Sequence, residues 1–346
     1  MKKRHLFASI FVCAIISITT ICAVFVPNMT GVNAQSREEK IKFHYLNVNS
    51  IEKSIGGPIG SADCIVIEDN TGSERVITMV DTGYYDSACG DKIVDYCKSL
   101  NITRIDHLVL SHPHDDHVGS VPVICDNFDI TRCYYTLPKD WSRVRPMEMD
   151  WDSKFYSDRA MQALKEKINS NGKGVEMISP DKEGKYYAIT ENSGFTVYNC
   201  LAVVNNNYRE PEFNDFSMCI KYTYENVNAL FTGDINIGYE YVFTGEVNEN
   251  GERVAAGSAD AIDPIGEIQI FKLAHHGTEG SLSTENLFSI MNPNKKDYLA
   301  IITGYRTNIG GSVLGRCEKY GYDTRVTHDG DIVVWTDGTN FGFVAE

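Results

Sequence analysis

The sequence predicts an α/β fold in which helices cover the faces of β-sheet. Short segments with the alternating or apolar pattern of β-strands recur along the chain, and two longer segments have the 3.6-residue apolar spacing of helices. Because strands and a helix follow one another in the first half of the chain, we expect sheet structure with helices packed on it. The strand-like segments are residues 41–48, 64–68, 75–80, 107–110, 196–204, 217–223, 229–232, 268–273, 299–303 and 332–336.

The two segments with helical spacing are residues 91–100 and 150–171. In the second segment, Phe155 and Ile168 belong to the apolar face that we expect to pack against the sheet. Gly172 follows this segment and is the expected stop of the helix, since glycine is common just after a helix ends.

The first 34 residues predict export. Basic residues at positions 2–4 precede an apolar run at 6–26, and the small-residue site Val32-Asn33-Ala34 follows. This is the pattern of a cleaved signal peptide, although an apolar run of this length is also long enough for a retained membrane anchor. Both alternatives place residues 35–346, interpreted as a single domain without an internal linker, either in the medium or on the extracellular face of the cell membrane.

The net charge disfavours some classes of partner. The whole chain has a net charge of −15, and removing the three basic residues at positions 2–4 leaves −18 on residues 35–346. A strongly acidic body disfavours nucleic acid as a partner, but it allows a small anionic substrate where local metal charge outweighs the distant field. Contact with a membrane is expected only through the N-terminal segment, and no pattern in the sequence indicates an oligomeric state.

The cysteines leave two alternatives open. The chain has 10 cysteines, of which Cys13 and Cys22 lie in the apolar leader. The others could form disulfides in an exported protein, or they could be scattered buried thiols. No pair has the C-x-x-C spacing of a cysteine-bound zinc site. Cys125 and Cys133, which are close in sequence, are the first pair to test for a disulfide.

A cluster of histidines and aspartates follows the strand-like segment at 107–110. His112 and His114 are two residues apart, so an extended backbone points both imidazoles to one side. Asp116 and His117 come next, and a turn there can direct them towards a second ion. Three imidazoles and a carboxylate so close together are ligands typical of zinc or a similar divalent metal. The chain has only nine histidines, so chance grouping of three is a poor explanation.

This cluster resembles the H-x-H-x-D-H motif of the metallo-β-lactamase superfamily, which it matches without a gap. Three further elements occur in the order that the superfamily has them. They are Asp81 in Met-Val-Asp-Thr-Gly, Asp234 in Leu-Phe-Thr-Gly-Asp, and the pair His275-His276 before Gly277. The resemblance covers nearly all of residues 41–345. It implies a four-layer αββα sandwich, with two sheets face to face, helices outside them and a metal site at one edge.

The resemblance also implies a centre that binds two divalent metal ions, zinc by first expectation and manganese as the alternative. Asp234 would touch both ions, and Asp81 would support the metal-binding loop through hydrogen bonds. No histidine lies between His117 and Asp234, where many superfamily members have one, so the first ion would keep open positions near Asn214. The implied metal ligands are His112, His114, Asp116, His117, Asp234 and His276.

Further segments resemble one branch of the superfamily. They are similar to the extracytoplasmic hydrolase domain of the competence protein that imports DNA, and to secreted phosphorylcholine esterases that act on cell-wall teichoic acids. Both relatives imply a small or cell-wall phosphoester or a phosphodiester as substrate. Hydrolysis of a lactam, lactone or thioester, and a metal-binding surface protein without turnover, are the alternatives. The segments are residues 60–63, 214–217 and 275–278, with Ser281.

The implied reaction is hydrolysis by a metal-activated hydroxide. Asp116 and His275 are the residues expected to be catalytic. Of the two adjacent histidines, His276 is assigned to the metal and His275 to the substrate side, as a proton donor or phosphate contact. The reverse assignment of these two histidines is the alternative.

Overall fold

The computed structural model describes most of the chain after residue 37. The predicted leader and its boundary at residue 34 lie outside the described residues, so both stay predictions. No helix within the described ranges is long and apolar enough to cross a membrane. The described residues are 38–49, 60–138, 142, 144, 153–200, 211–244 and 264–345.

Two β-sheets lie face to face, and helices pack on the outer face of each sheet. The strands are β1 (Ile41–Tyr45), β2 (Ile65–Asp69), β3 (Val76–Val80), β4 (Arg104–Leu110), β5 (Asp129–Tyr135), β6 (Glu176–Ile178), β7 (Lys185–Ala188), β8 (Ser193–Tyr198), β9 (Cys219–Tyr224), β10 (Val227–Phe231), β11 (Ile270–Lys272), β12 (Tyr298–Ile302), β13 (Tyr322–Val326), β14 (Ile332–Thr336) and β15 (Phe341–Phe343). The helices are α1 (Ser87–Ser99), α2 (Asp115–Val118), α3 (Val121–Asn127), α4 (Ser153–Glu166), α5 (Tyr241–Thr244), α6 (Glu285–Met291) and α7 (Gly311–Lys319).

The first sheet has the strand order β15-β14-β1-β2-β3-β4-β5-β6, and the second has the order β13-β12-β11-β10-β9-β8-β7. Side chains alternate between the two faces of each strand, as they must in extended backbone. In β2, Ile65 and Ile67 join the apolar layer between the sheets, whereas Val66 joins the layer beneath α1 and α3. In β11, Ile270 faces the other sheet and Phe271 faces the helices of the second sheet. The predicted four-layer αββα sandwich is confirmed.

One edge of the sandwich collects the carboxyl ends of parallel strands from both sheets. Strands β3 and β4 are parallel in the first sheet, and β10, β11 and β12 are parallel in the second. The chain segments that leave these strands therefore meet at one edge, where they form the loops that carry the predicted metal ligands. This topology explains why residues far apart in sequence come together.

The predicted helix at 150–171 is shorter than expected. Helix α4 ends at Glu166, and the side chain of Asn169 accepts hydrogen bonds from the backbone N–H groups of Asn171 and Lys173, at 3.1 and 2.9 Å. This local turn competes with the helix, as asparagine side chains commonly do. Two residues assigned to the buried face are also mostly exposed, Phe155 by 57% and Ile168 by 60%.

Most predicted strands are present with ends shifted by a few residues, and the predicted residues 201–204 lie outside the described ranges. Five strands were not predicted, β5, β6, β7, β13 and β15. Strand β7 is an edge strand with mostly exposed side chains, and β13 alternates charged with buried residues, so neither shows an apolar run.

The described cysteines are free thiols rather than disulfides. Cys125 and Cys133, the first pair to test for a disulfide, are both buried in the apolar layer between the first sheet and its helices and are not bonded to each other. Burial raises the pKa of the Cys125 thiol to about 12. These thiols therefore fill space in the core as small apolar groups.

Candidate metal centre

The loop between β4 and α2 is held in place by Asp81. Its carboxylate accepts hydrogen bonds from the backbone N–H and the hydroxyl of Ser111, both at 2.7 Å, and from Nδ1 of His117 at 2.8 Å. Asp81 itself has a positive φ of 58°, an uncommon conformation for a residue with a side chain. Strain of this kind is typical of functional sites, where surrounding contacts stabilise it.

Four of the predicted ligands form the tightest group of the centre. The donor atoms of Asp116, His117, Asp234 and His276 all lie within 4.8 Å of one another. Nε2 of His117 is 3.3 Å from Oδ1 of Asp234, and Nε2 of His276 is 3.2 Å from Oδ2 of the same residue. Nε2 of His276 is also 3.3 Å from Oδ2 of Asp116. Asp234 therefore lies between two imidazoles, with one carboxylate oxygen facing each ring.

Both histidines of this group are oriented by hydrogen bonds at their other ring nitrogen. Nδ1 of His117 donates to Asp81, and Nδ1 of His276 donates to the backbone carbonyl of Thr303 at 2.7 Å. Each bond leaves Nε2 facing the carboxylates. An imidazole that binds a metal ion is commonly oriented in this way by a carboxylate or a backbone carbonyl.

The residues of the group fit a divalent cation. Nε2 of His117 and Oδ1 of Asp234 are buried, and neither has a hydrogen-bond partner among the described residues. A buried polar atom without a partner costs free energy, and a metal ion between these two atoms would satisfy both. Imidazole nitrogens together with carboxylate oxygens are the donors that zinc and similar divalent ions prefer.

The carboxylates of the centre raise the pKa of the two histidines between them. Burial lowers the pKa of His117, but the carboxylates of Asp234, Asp116 and Asp81 raise it by more, so the net pKa lies well above the ordinary value. The pKa of His276 is raised in the same way, chiefly by Asp234. A metal ion that binds here must therefore displace protons from the imidazoles.

His112 and His114 lie beside the four-residue group and form a pair of their own. Nε2 of His112 is 2.9 Å from Nδ1 of His114, and their rings are nearly perpendicular. The ring of His112 lies 4.1 Å from that of His117. Burial holds the pKa of His112 well below its usual value, so this imidazole is neutral and able to bind metal. The structure thus brings all the predicted ligands to one edge, but it divides them into two sets.

The two adjacent histidines at 275 and 276 point to different surroundings. The side chain of His276 is 6% exposed, whereas that of His275 is 32% exposed, with Nε2 3.9 Å from Oδ2 of Asp234. Both residues have positive φ, 47° and 53°, and Gly277 follows with 75°. Three successive residues in the left-handed region turn the chain so that one ring faces inward and the other faces the cleft. This placement matches the sequence-based assignment, although the roles of the two residues stay predictions.

Sequence analysis assigned no role to two buried residues of the centre, Asp63 and Lys272. Both are 1% exposed, and they form an ion pair with each other. Nζ of Lys272 is also 3.8 Å from Oδ1 of Asp234. The signal that could have revealed the pair is a single lysine inside an otherwise apolar strand, since a buried lysine requires a partner.

Asn214 is a further cleft residue with an unsatisfied polar atom. It is buried in a 3-10 turn at Phe213–Phe216, and its Oδ1 atom has no hydrogen-bond partner among the described residues. The turn is tied to Asp234 through Ser217, whose N–H donates to the Asn214 carbonyl and whose hydroxyl accepts from the Asp234 N–H, both at 3.0 Å. Asn214 therefore lies at the position near the metal centre that the sequence suggested.

An open cleft gives access to the centre. Its lining residues that the structure describes include acidic and neutral polar side chains but no lysine or arginine. They are Gly60, Ser61, Tyr84, His114, Asp115, Asp116, Glu212, Asn214, Asp234, His275, His276, Thr278 and Asn308.

The family comparison agrees with the geometry of the site. Residues 57–183 match the family model described as the metallo-beta-lactamase superfamily, and the matched region includes Asp81 and the loop from His112 to His117. Residues 57–183 are therefore similar to a metallo-β-lactamase superfamily domain. No curated protein matches the sequence.

Solved structures that resemble the chain are distant in sequence. A putative metallo-beta-lactamase from Thermotoga maritima is 14% identical, with 59% of this chain and 84% of that chain covered at a TM-score of 0.36. The Rm3 metallo-beta-lactamase is 11% identical, with 81% of each chain covered at a TM-score of 0.35. A motif mutant of the metallo-beta-lactamase from Cronobacter sakazakii is 13% identical at a TM-score of 0.32, with 50% of this chain covered and 58% of that chain, which is less than two thirds. Similarity at this level bears on neither the substrate nor the metal.

Proposed function

We propose that this protein is an exported metal-dependent hydrolase that cleaves a small or cell-wall phosphoester or phosphodiester. The observation that carries the proposal is the arrangement of Asp234 between His117 and His276, beside the His112–His114 pair, at the floor of an open cleft. Two sets of donors next to one another suit two divalent ions, and two-ion centres are common in enzymes that hydrolyse phosphoesters.

The composition of the cleft supports a small substrate rather than a polyanion. Asp115 and Glu212 line the cleft beside the predicted ligands, and the described lining contains no lysine or arginine. Bound divalent ions would supply the positive charge for a phosphate group and the Lewis acidity for its hydrolysis. The surrounding carboxylates and the net charge of −15 would repel a long polyphosphate backbone.

The protein's own residues would orient the ligands and move a proton. Asp81 and Thr303 hold the rings of His117 and His276, so that their Nε2 atoms face the carboxylates. His275 stands at the cleft beside Asp234, where its imidazole would donate a proton to the leaving alcohol. Asn214 and Tyr84 line the same cleft and are available to bind polar groups of the substrate.

A panel of substrates tests the reaction class. We expect zinc or manganese to support hydrolysis of bis-p-nitrophenyl phosphate or p-nitrophenyl phosphorylcholine, and a chelator to abolish it. Asp234→Asn should lose this activity, whereas Asp69→Asn should keep it, because Asp69 is a buried aspartate that bonds to Tyr222 and Ser193 rather than to the centre. Hydrolysis of nitrocefin or a lactone in preference to both phosphoesters would show that the substrate class is wrong.

The export part of the proposal rests on the N-terminal sequence. Fractionation of the native host should recover the protein from the medium or the cell surface, with or without residues 1–34. A full-length chain that stays in the cytoplasm would contradict export and leave the metal chemistry unaffected.

A further inference from the structure

A lysine is buried at the end of a central strand, directly behind the metal centre. Lys272 is the last residue of β11, two residues after Ile270, so its side chain enters the layer between the two sheets. Its 1% exposure leaves no path for the ammonium group to reach solvent. A charged group in such a place is stable only when protein groups replace its water.

Three groups surround the ammonium of Lys272. It forms an ion pair with Asp63, donates a hydrogen bond to the backbone carbonyl of Gly233 at 3.2 Å, and lies 3.8 Å from Oδ1 of Asp234. This is the same Asp234 oxygen that faces His117 and has no hydrogen-bond partner. Among the described ion pairs of Asp63, Asp81, Asp116 and Asp234, Lys272 is the one lysine or arginine.

Asp63 connects this lysine to the histidines of the centre. Its Oδ1 atom accepts a hydrogen bond from the hydroxyl of Thr303 and lies 3.4 Å from Nδ1 of His276. Its Oδ2 atom lies 3.8 Å from Nδ1 of His117. Asp63 is therefore behind both rings, on the side opposite to the nitrogens that face the carboxylates.

We infer that Asp63 is a positioning residue of the metal centre. It holds the buried Lys272 ammonium behind His117 and His276 and keeps this ammonium from pairing fully with Asp234. The pair leaves Asp234 available to a divalent ion and places one permanent positive charge close to that ion. The inference rests on the metal centre of the proposed function and does not depend on the phosphoester substrate.

The inference predicts that one substitution in the pair weakens zinc binding and that a second substitution restores it. Asp63→Asn removes the main partner of Lys272, so the ammonium should move to Asp234 and compete with the metal ion for this carboxylate. Zinc binding by the full chain, measured by equilibrium dialysis, should then need about tenfold or more zinc for half-saturation. The double variant Asp63→Asn with Lys272→Gln removes the competing charge, so half-saturation should return to within about threefold of the wild-type concentration.

A purely structural role of the Asp63–Lys272 pair predicts that the double variant does not regain zinc binding. If the pair only supported packing, the double variant would lose two buried groups and bind zinc no better than Asp63→Asn. That order, or wild-type binding by Asp63→Asn, would overturn the inference. The matched control is Asp69→Asn, which removes a buried carboxylate away from the centre and should leave zinc binding unchanged.

Lys272→Gln alone keeps the test decisive if Asp63→Asn does not fold. This variant keeps a polar side chain beside Asp63 and removes the positive charge, so the centre should bind zinc at least as tightly as the wild type. Binding weaker by about tenfold would contradict the inference. If the wild-type chain bound no zinc or manganese, the metal centre would be wrong as well, which separates the two failures.

Discussion

At the scale of single residues, the centre depends on groups that do not face the cleft. Asp81 bonds to Ser111 and His117, and Thr303 accepts from His276, so the metal-facing nitrogens are set from behind. The sequence identified Asp81 because its Asp-Thr-Gly context matches a known pattern, but Thr303 acts through its backbone carbonyl, which no side-chain pattern reveals. Asp63 and Lys272 received no role for a related reason, since their pairing joins the segment before β2 to β11 and is visible only in three dimensions.

The support from Asp81 can be tested separately from the ligands. Asp81→Asn should weaken zinc binding by about 10- to 100-fold, the usual effect of losing a partner that orients a ligand. Asp234→Asn should do more, because this residue faces two of the histidines. Metal analysis after dialysis against buffered zinc measures both effects. Equal zinc content in Asp81→Asn and the wild type at every free zinc concentration would show that Asp81 has no such role.

The paired histidines separate metal binding from turnover. His276→Ala should lose metal and activity together, whereas His275→Ala should keep the metal while turnover of a poor leaving group falls by about 10²–10⁴. The defect of His275→Ala should shrink with p-nitrophenyl esters, because p-nitrophenolate leaves without protonation. Parallel measurements of bound metal and kcat on both kinds of substrate check this. Equal metal loss in the two variants would refute the division of roles.

At the scale of elements, the apolar pattern predicted the strands that carry the site and failed for those at the periphery. The carboxyl ends of β4, β10 and β11 were found because each strand ends an apolar run immediately before a motif. Edge strand β7 has few buried side chains, so it shows no such run. The helix predicted at 150–171 was too long. Its apolar spacing continues through Ile168, but the helix ends at Glu166 and a turn around Asn169 follows.

Helix α1 gives a test of stability at this scale. Its N-cap residue, Asp86, accepts a hydrogen bond from the backbone N–H of Cys89 at 2.7 Å, and the helix begins there. Asp86→Ala should lower the free energy of unfolding by about 1 kcal/mol, the usual contribution of such a cap. Urea unfolding followed by circular dichroism measures it, and Asp86→Ser, which can also cap the helix, is the matched control. Unchanged stability in Asp86→Ala would show that the cap contributes nothing.

At the scale of the whole molecule, buried titratable groups make stability depend on pH. His107 lies in β4, 3% exposed, with Nδ1 3.2 Å from the hydroxyl of Tyr134. Burial, with the nearby charge of Arg132, lowers the pKa of His107 to about 4. In the unfolded chain this pKa is about 6.5. The unfolded state therefore takes up a proton between these values that the folded state does not, so stability is full above pH 6.5 and is lost as the pH falls towards 4.

The expected size of this effect follows from the two pKa values of His107. Each unit of difference is worth about 1.4 kcal/mol, so lowering the pH from 7 to 5 should cost the wild type about 2 kcal/mol through this residue. His107→Asn keeps a polar group near Tyr134 but does not titrate. Between pH 7 and 5 it should therefore lose about 2 kcal/mol less free energy of unfolding than the wild type. Urea unfolding at both pH values, with a chelator present so that metal release does not contribute, measures the difference between the two proteins. If both lost the same free energy of unfolding, proton binding by His107 would not couple to folding, and the acid sensitivity of the protein would lie in other groups.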